Sequence, residues 1–254
     1  SDPWFETANR GQVRYGFAHK YLLKILMINQ IFNEDCLEWM KRIPDWSIDC
    51  IITDPPYWTT ACRWDHVIPF DLMWKELKRI IKPNGAIVLF WSEPFSSALR
   101  MSNIKQYKYD WIWDKKKGGN PLLAKKQPIK VTENILIFNS KIYIPQMTER
   151  YKPKSRGKNK WSISETTWNA FTENKIYTQK YPKNIIEISN ADQRWKVHPT
   201  QKPVALIEYL IRTYTNEWET VLDFTIGSGT TAIACINTNR NYIGFELDKW
   251  YFDI

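Results

Sequence analysis

Asp54, Pro55, Pro56 and Tyr57 combine residue types that could hold a planar amine, and they directly follow a short apolar run. That run, residues 47–53, is typical of a buried parallel strand. Two consecutive prolines cannot continue a strand ladder or start a regular helix at once. The sequence therefore presents a carboxylate, bare backbone carbonyls and an aromatic ring at the carboxyl end of a strand, where open α/β sheets bind ligands. The alternative is a simple strand-terminating turn, since Asp-Pro commonly opens turns.

A second group of residues, V-L-D-F-T-I-G-S-G-T-T at 221–231, predicts a strand that runs into a glycine turn and a helix. Glycine lets the backbone turn sharply and approach a ligand closely. The segment is not a P-loop, because no lysine precedes the threonine pair and the glycine spacing differs. Asp223 could meet a cationic amine, and Glu246, at the tip of the next predicted strand, could bind two ribose hydroxyls. These groups suit a nucleoside ligand that carries an amino group; an ordinary tight βα turn is the alternative.

Alternating strands and helices surround both groups. Helical spacing of apolar residues predicts a helix led by Leu37 and further helices over 70–81, 204–214 and 230–237. Residues 82–85 (K-P-N-G) are typical of a helix stop. Apolar runs predict strands at 28–32, 47–53, 86–91, 109–113, 135–138, 220–224 and 241–246. Strand, helix and strand at this spacing indicate a parallel α/β sheet.

The net charge of +9 is concentrated in one segment. Residues 115–160 contain 13 basic and 2 acidic residues, a balance of +11, so the rest of the chain sums to −2. A solvated basic loop would produce the same count. So concentrated a surplus nevertheless favours a surface that binds the phosphates of a nucleic acid.

The composition excludes several other classes of protein. No apolar run approaches the roughly 20 residues that cross a bilayer, so a soluble, cytoplasmic protein is expected. Four cysteines without a C-x-x-C pair, and only three histidines, argue against a zinc site or a disulfide framework. A chain of 254 residues predicts one large domain, or a domain with an inserted lobe. Residues 1–26 differ in character and are expected to be an N-terminal extension of that domain.

Three motifs occur in one order along the chain: D-P-P-Y at 54–57, H-P-T-Q-K-P at 198–203 and F-T-I-G-S-G-T-T at 224–231, with N-E-D-C upstream at 33–36. In this order they resemble the β group of S-adenosylmethionine-dependent amino methyltransferases of DNA, over roughly residues 27–251. Phe224 and Thr225 depart from that pattern, since Pro and Phe are commoner there. The resemblance implies a single domain over 27–254 with a Rossmann-like methyltransferase sheet. That sheet would be mostly parallel, with helices on both faces, a circularly permuted motif order and an inserted target-recognition region at about 115–182.

The resemblance also implies methyl transfer to adenine N6 of a base flipped out of duplex DNA. Asp54 would accept one amine N–H, the carbonyl of Pro55 another, and Tyr57 would stack on the base beside Pro56. An Asp at position 54 favours adenine, whereas an S-P-P-Y motif would point to cytosine N4. Methylation of cytosine N4 and a DNA-binding protein with a vestigial cofactor pocket are the alternatives.

By the same resemblance, the cofactor S-adenosylmethionine would contact Asp35, Cys36, Thr200, Gln201, Lys202, Asp223, Gly227, Ser228, Gly229, Thr230 and Glu246. Within that set, residues 200–202 would hold the methionine carboxylate and Glu246 the ribose. Basic side chains of the inserted region are the candidates for phosphate contacts: Lys115, Lys116, Lys117, Lys125, Lys126, Arg150, Lys152, Lys154, Arg156, Lys158 and Lys160. The expected partners are double-stranded DNA, a second copy of the chain and a cognate restriction endonuclease, with neither a metal nor a membrane.

Overall fold

The computed structural model describes residues 26–56, 68–119, 121–156, 175–190 and 201–254. Ten strands are described: β1 (Gln30–Phe32), β2 (Ile48–Thr53), β3 (Ile81–Trp91), β4 (Tyr107–Gly119), β5 (Lys130–Phe138), β6 (Thr148–Arg156), β7 (Lys175–Lys180), β8 (Ile185–Glu187), β9 (Thr220–Asp223) and β10 (Asn241–Phe245). The helices are α1 (Cys36–Met40), α2 (Phe70–Ile80), α3 (Phe95–Ser102), α4 (Val204–Tyr214), α5 (Thr230–Asn237) and α6 (Lys249–Phe252), with a 3₁₀ turn at Pro121–Leu123. None of these helices is long and apolar enough to span a bilayer.

Eight of these strands form one sheet in the order β1-β10-β9-β2-β3-β5-β4-β8. The first five are parallel neighbours, and β5 alone runs against the others. The strands β2 and β9 lie far apart in the chain but pair directly, through Cys50 with Val221 and Ile51 with Leu222. The sheet confirms the predicted α/β architecture, and it brings the two predicted groups of site residues to adjacent strand ends.

Both faces of the sheet are covered by helices because its central strands are apolar on both sides. Along β3, Ile87 and Leu89 join one core cluster, whereas Val88 and Phe90 join the other. This period of two is the alternation expected of an extended chain. The first cluster includes side chains from α1, α2 and α3, and the second includes side chains from α4 and α5. The confirmed two-sided packing explains why these strands read as unbroken apolar runs.

The junction between α2 and β3 differs from the prediction. The helix ends at Ile80, but the strand begins at once with Ile81 instead of at Ala86. Ile81 pairs with Ile48 and Ala86 with Cys50, so residues 82–85 form a bulge at the start of β3. Gly85 is required there, because a Cβ atom would lie 2.6 Å from the carbonyl oxygen of Asp49. Residues 82–85, whose composition predicts a helix stop, therefore form the irregular beginning of a strand.

The basic segment is divided between two compact units. Residues 115–119 and 130–138 belong to β4 and β5 of the large sheet, in the first unit. The second unit spans Pro145–Lys183, and its described residues include β6 and β7, which pair antiparallel. The second unit begins at Pro145, and the target-recognition region that the resemblance implies, about 115–182, stays a prediction. Charge alone could not locate this boundary, because lysines on the solvent side of a sheet strand count like lysines in a loop.

Candidate active site

The sheet changes the direction of its crossovers between β9 and β2, and this point forms a crevice. The helix that follows β9, α5, packs in one core cluster, and α2, which follows β2, packs in the other. The two helices therefore lie on opposite faces of the sheet. Ligands of open α/β sheets bind at such a switch point, outside the carboxyl ends of the strands.

A cavity of about 310 Å³ opens at this position. It brings together residues from both predicted groups: Asp35, Cys36, Asp54, Pro56, Gln201, Lys202, Asp223, Gly227, Ser228, Thr230 and Glu246. Pro55 and Gly229 are buried next to these residues but do not line the cavity. Tyr57 and Thr200 lie outside the described residues. The cavity therefore joins the carboxylate at the tip of β2 to the glycine turn after β9.

Threonine hydroxyls tie the ends of β2 and β9 together. Thr53 Oγ1 donates to Asp223 Oδ1 at 2.8 Å, and Thr231 Oγ1 donates to Asp223 Oδ2 at 2.5 Å. The hydroxyl of Thr225 lies 2.7 Å from Thr53 Oγ1 and 3.2 Å from the carbonyl oxygen of Asp54. Because that hydroxyl has one proton, it donates to one of these two oxygens at a time. Sequence reasoning did not identify Thr53 as a site residue, although its place just before Asp54 was the available signal.

Asp223 is a buried carboxylate whose hydrogen bonds only partly offset the loss of water. Burial raises the pKa of Asp223 to about 6, and the charge of Asp54 adds to this effect. Hydrogen bonds from Thr231, Thr53 and the backbone N–H of Thr225 oppose the shift. A cation placed in the cavity would favour the ionised form of Asp223.

The glycine turn approaches β10 closely and carries the buried hydroxyl of Ser228, a residue that lines the cavity. Gly227 and Gly229 adopt φ of 57° and 84°, which side chains rarely tolerate. At Gly244 a Cβ atom would lie 2.5 Å from the Ile226 side chain, so β10 also needs glycine beneath the turn. Among the described residues, buried Ser228 Oγ has no hydrogen-bond partner. A ligand that donates or accepts at this hydroxyl would satisfy it.

Glu246 is held by the turn that it faces. Its Oε2 accepts from the backbone N–H of Gly227 at 2.9 Å, and its Oε1 accepts from the N–H of Asp248 at 2.8 Å. Burial raises the pKa of Glu246 above its ordinary value. Each carboxylate oxygen keeps a second lone pair, so Glu246 can still accept hydrogen bonds from two adjacent hydroxyls.

Asp35 and Cys36 form the wall of the cavity at the start of α1. Asp35 Oδ1 accepts from the N–H groups of Leu37 and Glu38, so Asp35 caps the helix. Burial, together with the charge of Asp35, raises the pKa of the Cys36 thiol to about 12. The thiol is therefore protonated at neutral pH and offers a neutral contact to a ligand.

Asp54 is part of an ion-pair network that the sequence did not reveal. Lys202 Nζ donates to Asp54 Oδ2 and lies 3.7 Å from Glu133 Oε2. Glu133 Oε1 accepts from Lys115 Nζ at 2.8 Å. Burial disfavours the charge of Glu133, but Lys202 and Lys115 outweigh that effect and lower its pKa. Glu133 is one of two acids in the basic segment, which was the only sequence signal for it.

The predicted phosphate contacts fall into four groups. Lys115 is only 15% exposed and is paired with Glu133, so it does not present a free cation to a phosphate. The prediction that Lys115 contacts phosphate is therefore not supported. Lys116 is exposed but pairs with Asp114 and Glu187. The other described candidates are exposed or half-buried: Lys117, Lys125, Lys126, Arg150, Lys152 and Lys154. The side chain of Arg156, and Lys158 and Lys160 entirely, lie outside the described residues.

A mostly parallel sheet with one reversed strand, and a cavity that joins a glycine turn to two strand-end carboxylates, define a nucleoside-binding α/β enzyme of the methyltransferase type. The chain belongs to the DNA methylase family, whose sequence profile matches residues 48–254.

Known proteins and solved structures resemble the chain over most of its length. It is 29% identical to the type II methyltransferase M.HpaI of Haemophilus parainfluenzae over 255 residues, covering 90% of this chain and 73% of that protein. The crystal structure of the M1.HpyAVI–SAM complex superposes with a TM-score of 0.59 at 26% identity, covering 88% of this chain and 96% of that one. The cytosine-N4-specific PvuII DNA methyltransferase has a TM-score of 0.62 at 19% identity, covering 87% and 83% of the two chains. At that identity the likeness to the PvuII enzyme shows the fold alone.

Proposed function

We propose that the protein transfers a methyl group from S-adenosylmethionine to the N6 amine of adenine in double-stranded DNA. The observation that carries the proposal is the position of Asp54, which lines the same cavity as the glycine turn and Glu246. Membership of the DNA methylase family supports the reaction class. A homodimer and a cognate restriction endonuclease stay predictions.

The polar groups that line the cavity suit the proposed cofactor. The unsatisfied hydroxyl of Ser228 and the free lone pairs of Glu246 suit the hydroxyls of a ribose. Ionised Asp223 suits a cationic amine, and the protonated thiol of Cys36 suits an uncharged base. M1.HpyAVI, which this chain covers over 96% of its length, was crystallised with SAM.

When bound, S-adenosylmethionine would supply an electrophilic methyl group on a sulfonium, whose sulfur would leave as a neutral thioether while the exocyclic amine takes the methyl group and releases one proton to water. An aromatic amine is a weak nucleophile, because its lone pair is delocalised into the base. The Asp54 carboxylate would accept one N–H and the carbonyl of Pro55 would accept the other, which localises the lone pair toward the methyl group. Positioning and electrostatics at Asp54 therefore account for most of the proposed acceleration.

The choice of adenine is supported by the side chain at position 54. An ionised aspartate at position 54 offers a charged acceptor where a serine would offer a neutral hydroxyl, so it accepts more strongly from an amine N–H. The sequence resemblance associates Asp with adenine N6 at this position. A neutral oxygen at the same place is associated with cytosine N4.

Exposed positive charge in the second unit supports DNA as the substrate. Lys152 and Lys154 are exposed on β6. The half-buried Arg150 lies on the same strand, next to Tyr151. Tyr151 is 98% exposed, although large aromatic side chains are usually covered. Basic side chains with an exposed aromatic ring suit phosphates and bases together.

The decisive experiment identifies the methylated base. The purified protein is incubated with duplex DNA and S-adenosylmethionine, and the DNA is digested to nucleosides for mass spectrometry. We expect N6-methyldeoxyadenosine from the wild type and none from Asp54→Ala, whose affinity for the cofactor should stay within a few fold of wild type. N4-methyldeoxycytidine without N6-methyldeoxyadenosine would refute the assignment of the base. Sequencing the same DNA with modification-sensitive reads gives the recognition site.

A further inference from the structure

A chain of four alternating charges leads away from Asp54 into the sheet. Lys202, just before α4, binds Asp54 at the tip of β2 and approaches Glu133 on β5 to 3.7 Å. Glu133 in turn pairs with Lys115 on β4 at 2.8 Å. The four side chains are between 10% and 18% exposed. Two carboxylates and two ammonium groups are thus withdrawn from water, and their charges sum to zero.

Charges withdrawn from water are costly, so such a network persists where its members hold one another. The ammonium group of Lys202 also lies 5.3 Å from the centre of the Phe90 ring, whose face attracts cations. Lys202 is therefore contacted by Asp54, which directly follows β2, by Phe90 on β3 and by Glu133 on β5. This arrangement fixes where the ammonium group lies relative to the Asp54 carboxylate.

We propose that Lys202 and Glu133 are positioning residues for Asp54: Lys202 orients its carboxylate and keeps it ionised, and Glu133 shares the ammonium group so that Asp54 can still accept an amine N–H. This role rests on the proposed methyl transfer. It differs from the contact with the methionine carboxylate that the resemblance implies for Lys202, and nothing in the sequence assigns a role to Glu133.

The two residues should have opposite effects on Asp54. Without the Lys202 charge, the repulsion between Asp54 and the buried acid Asp223 is no longer offset by the Lys202 ammonium group, which disfavours the ionised form of Asp54. Without the charge of Glu133, the ammonium group interacts with Asp54 alone, which favours the ionised form. A residue that only supports the fold would not shift the two variants in opposite directions.

The test measures methyl transfer from radiolabelled cofactor, so that it does not depend on which base is methylated. The rate constant kcat is followed from pH 5 to pH 9 with cofactor and DNA both saturating, which keeps Asp223 engaged by its ligand. For Lys202→Met we expect a fall in kcat of at least about tenfold and an acid limb displaced upward by about one pH unit or more. For Glu133→Gln we expect an acid limb displaced to lower pH.

Matched variants separate the proposed role from damage to the fold. Glu187→Gln removes an exposed acid that pairs with Lys116 on the adjoining strand and should leave the pH profile unchanged. Lys202→Arg keeps the positive charge, so it should retain an acid limb close to that of wild type even if Lys202→Met does not fold. Calorimetry with S-adenosylmethionine completes the set.

An acid limb that stays in place in Lys202→Met would overturn the proposal. An acid limb that moves upward in Lys202→Arg or in Glu133→Gln would also overturn it. A weakening of cofactor affinity by more than tenfold with an unmoved acid limb would overturn it in favour of a cofactor contact. Absence of any methyl transfer by the wild type would instead overturn the proposed function. The two failures are therefore distinguishable.

Discussion

At the scale of single residues, Thr225 departs from the family's sequence pattern but forms hydrogen bonds within the site. Phe224 and Thr225 occupy positions where the resembling family commonly has Pro and Phe. In the structure Phe224 is only 1% exposed and belongs to the core, while the hydroxyl of Thr225 reaches both Thr53 and the carbonyl of Asp54. The aromatic ring that the pattern leads one to expect is thus replaced by a hydrogen-bonded tie between two strand ends.

This tie predicts a measurable effect of Thr225→Val on catalysis. The change keeps the shape of the side chain but removes the hydroxyl, which should cost about 1 kcal/mol of stability. We expect kcat to fall several-fold, because the backbone of Asp54 loses a restraint, while the cofactor affinity stays within twofold. Thr238→Val, at a buried threonine that bonds to the carbonyl of Ala234, is the control and should lose similar stability with kcat unchanged. Equal kcat values for the two variants would contradict the role of Thr225.

The raised pKa of Asp223, about 6, predicts that cofactor affinity depends on pH. Below that pKa the carboxyl group is neutral and cannot pair with the ammonium group of the cofactor. Affinity should therefore rise as pH increases through 6, with binding about tenfold weaker at pH 5 than the plateau above pH 7. Titration calorimetry between pH 5 and pH 8 measures this, and Asp223→Asn should give a weaker, nearly constant affinity. A wild-type affinity that does not change with pH would exclude the pairing.

The raised pKa of Asp223 affects folding stability in the opposite direction: stability falls as pH rises, whereas cofactor affinity increases. Because the folded state holds the Asp223 proton more tightly than the unfolded state, this residue contributes stability at low pH that is lost as pH rises from about 4 to about 6. Binding of the cation would compensate for that loss.

At the scale of secondary structure, four of the described helices were predictable from apolar spacing, whereas α3, α6 and the pairings between strands were not. The bounds predicted for α4 and α5, 204–214 and 230–237, match the structure because proline or glycine turns flank strongly apolar helices. The start of β3 and the ribbon of β6 and β7 were missed, since both contain proline and lack regular apolar alternation. Glu133 was missed for a different reason: its contact with Lys202 requires β5 to lie beside β3, and no local pattern specifies that order.

The left-handed turn before α5 predicts a penalty for Gly229→Ala. A side chain at φ of 84° should cost about 1 kcal/mol or more, although a Cβ atom there would meet only an ordinary contact with Ile31 at 3.8 Å. Relaxation of the turn would also displace Ser228, so we expect cofactor affinity to fall several-fold. Gly119→Ala on β4 is the control, because its Cβ atom would lie 3.6 Å from the carbonyl oxygen of Lys130. Thermal unfolding and calorimetry check both effects, and equal losses in the two variants would argue against a special role for the turn.

At the scale of the whole molecule, the surplus of positive charge includes two kinds of lysine: those paired with carboxylates and those exposed to solvent. Lys115 and Lys116 are neutralised by carboxylates that are distant in sequence, Glu133 and Glu187. The cations left to act on a polyanion therefore include the exposed lysines of the second unit, in the ribbon of β6 and β7. The sequence could report the sign and the amount of charge, but only the fold distinguishes a charge used internally from one offered to a partner.

This division predicts which lysines set the salt dependence of DNA binding. Each phosphate contact contributes about 0.9 to the slope of log affinity against log salt, because the contact releases a condensed counterion. Replacing Lys152 and Lys154 together with Gln should therefore lower the slope by up to about 2, measured by fluorescence anisotropy between 50 and 300 mM salt. The control replaces Lys41 and Lys249, two exposed lysines that pair with Glu38 and Asp253, and should leave the slope unchanged. An equal decrease in both double variants would mean that overall charge governs binding, and an unchanged slope after loss of Lys152 and Lys154 would move the phosphate-binding surface away from the second unit.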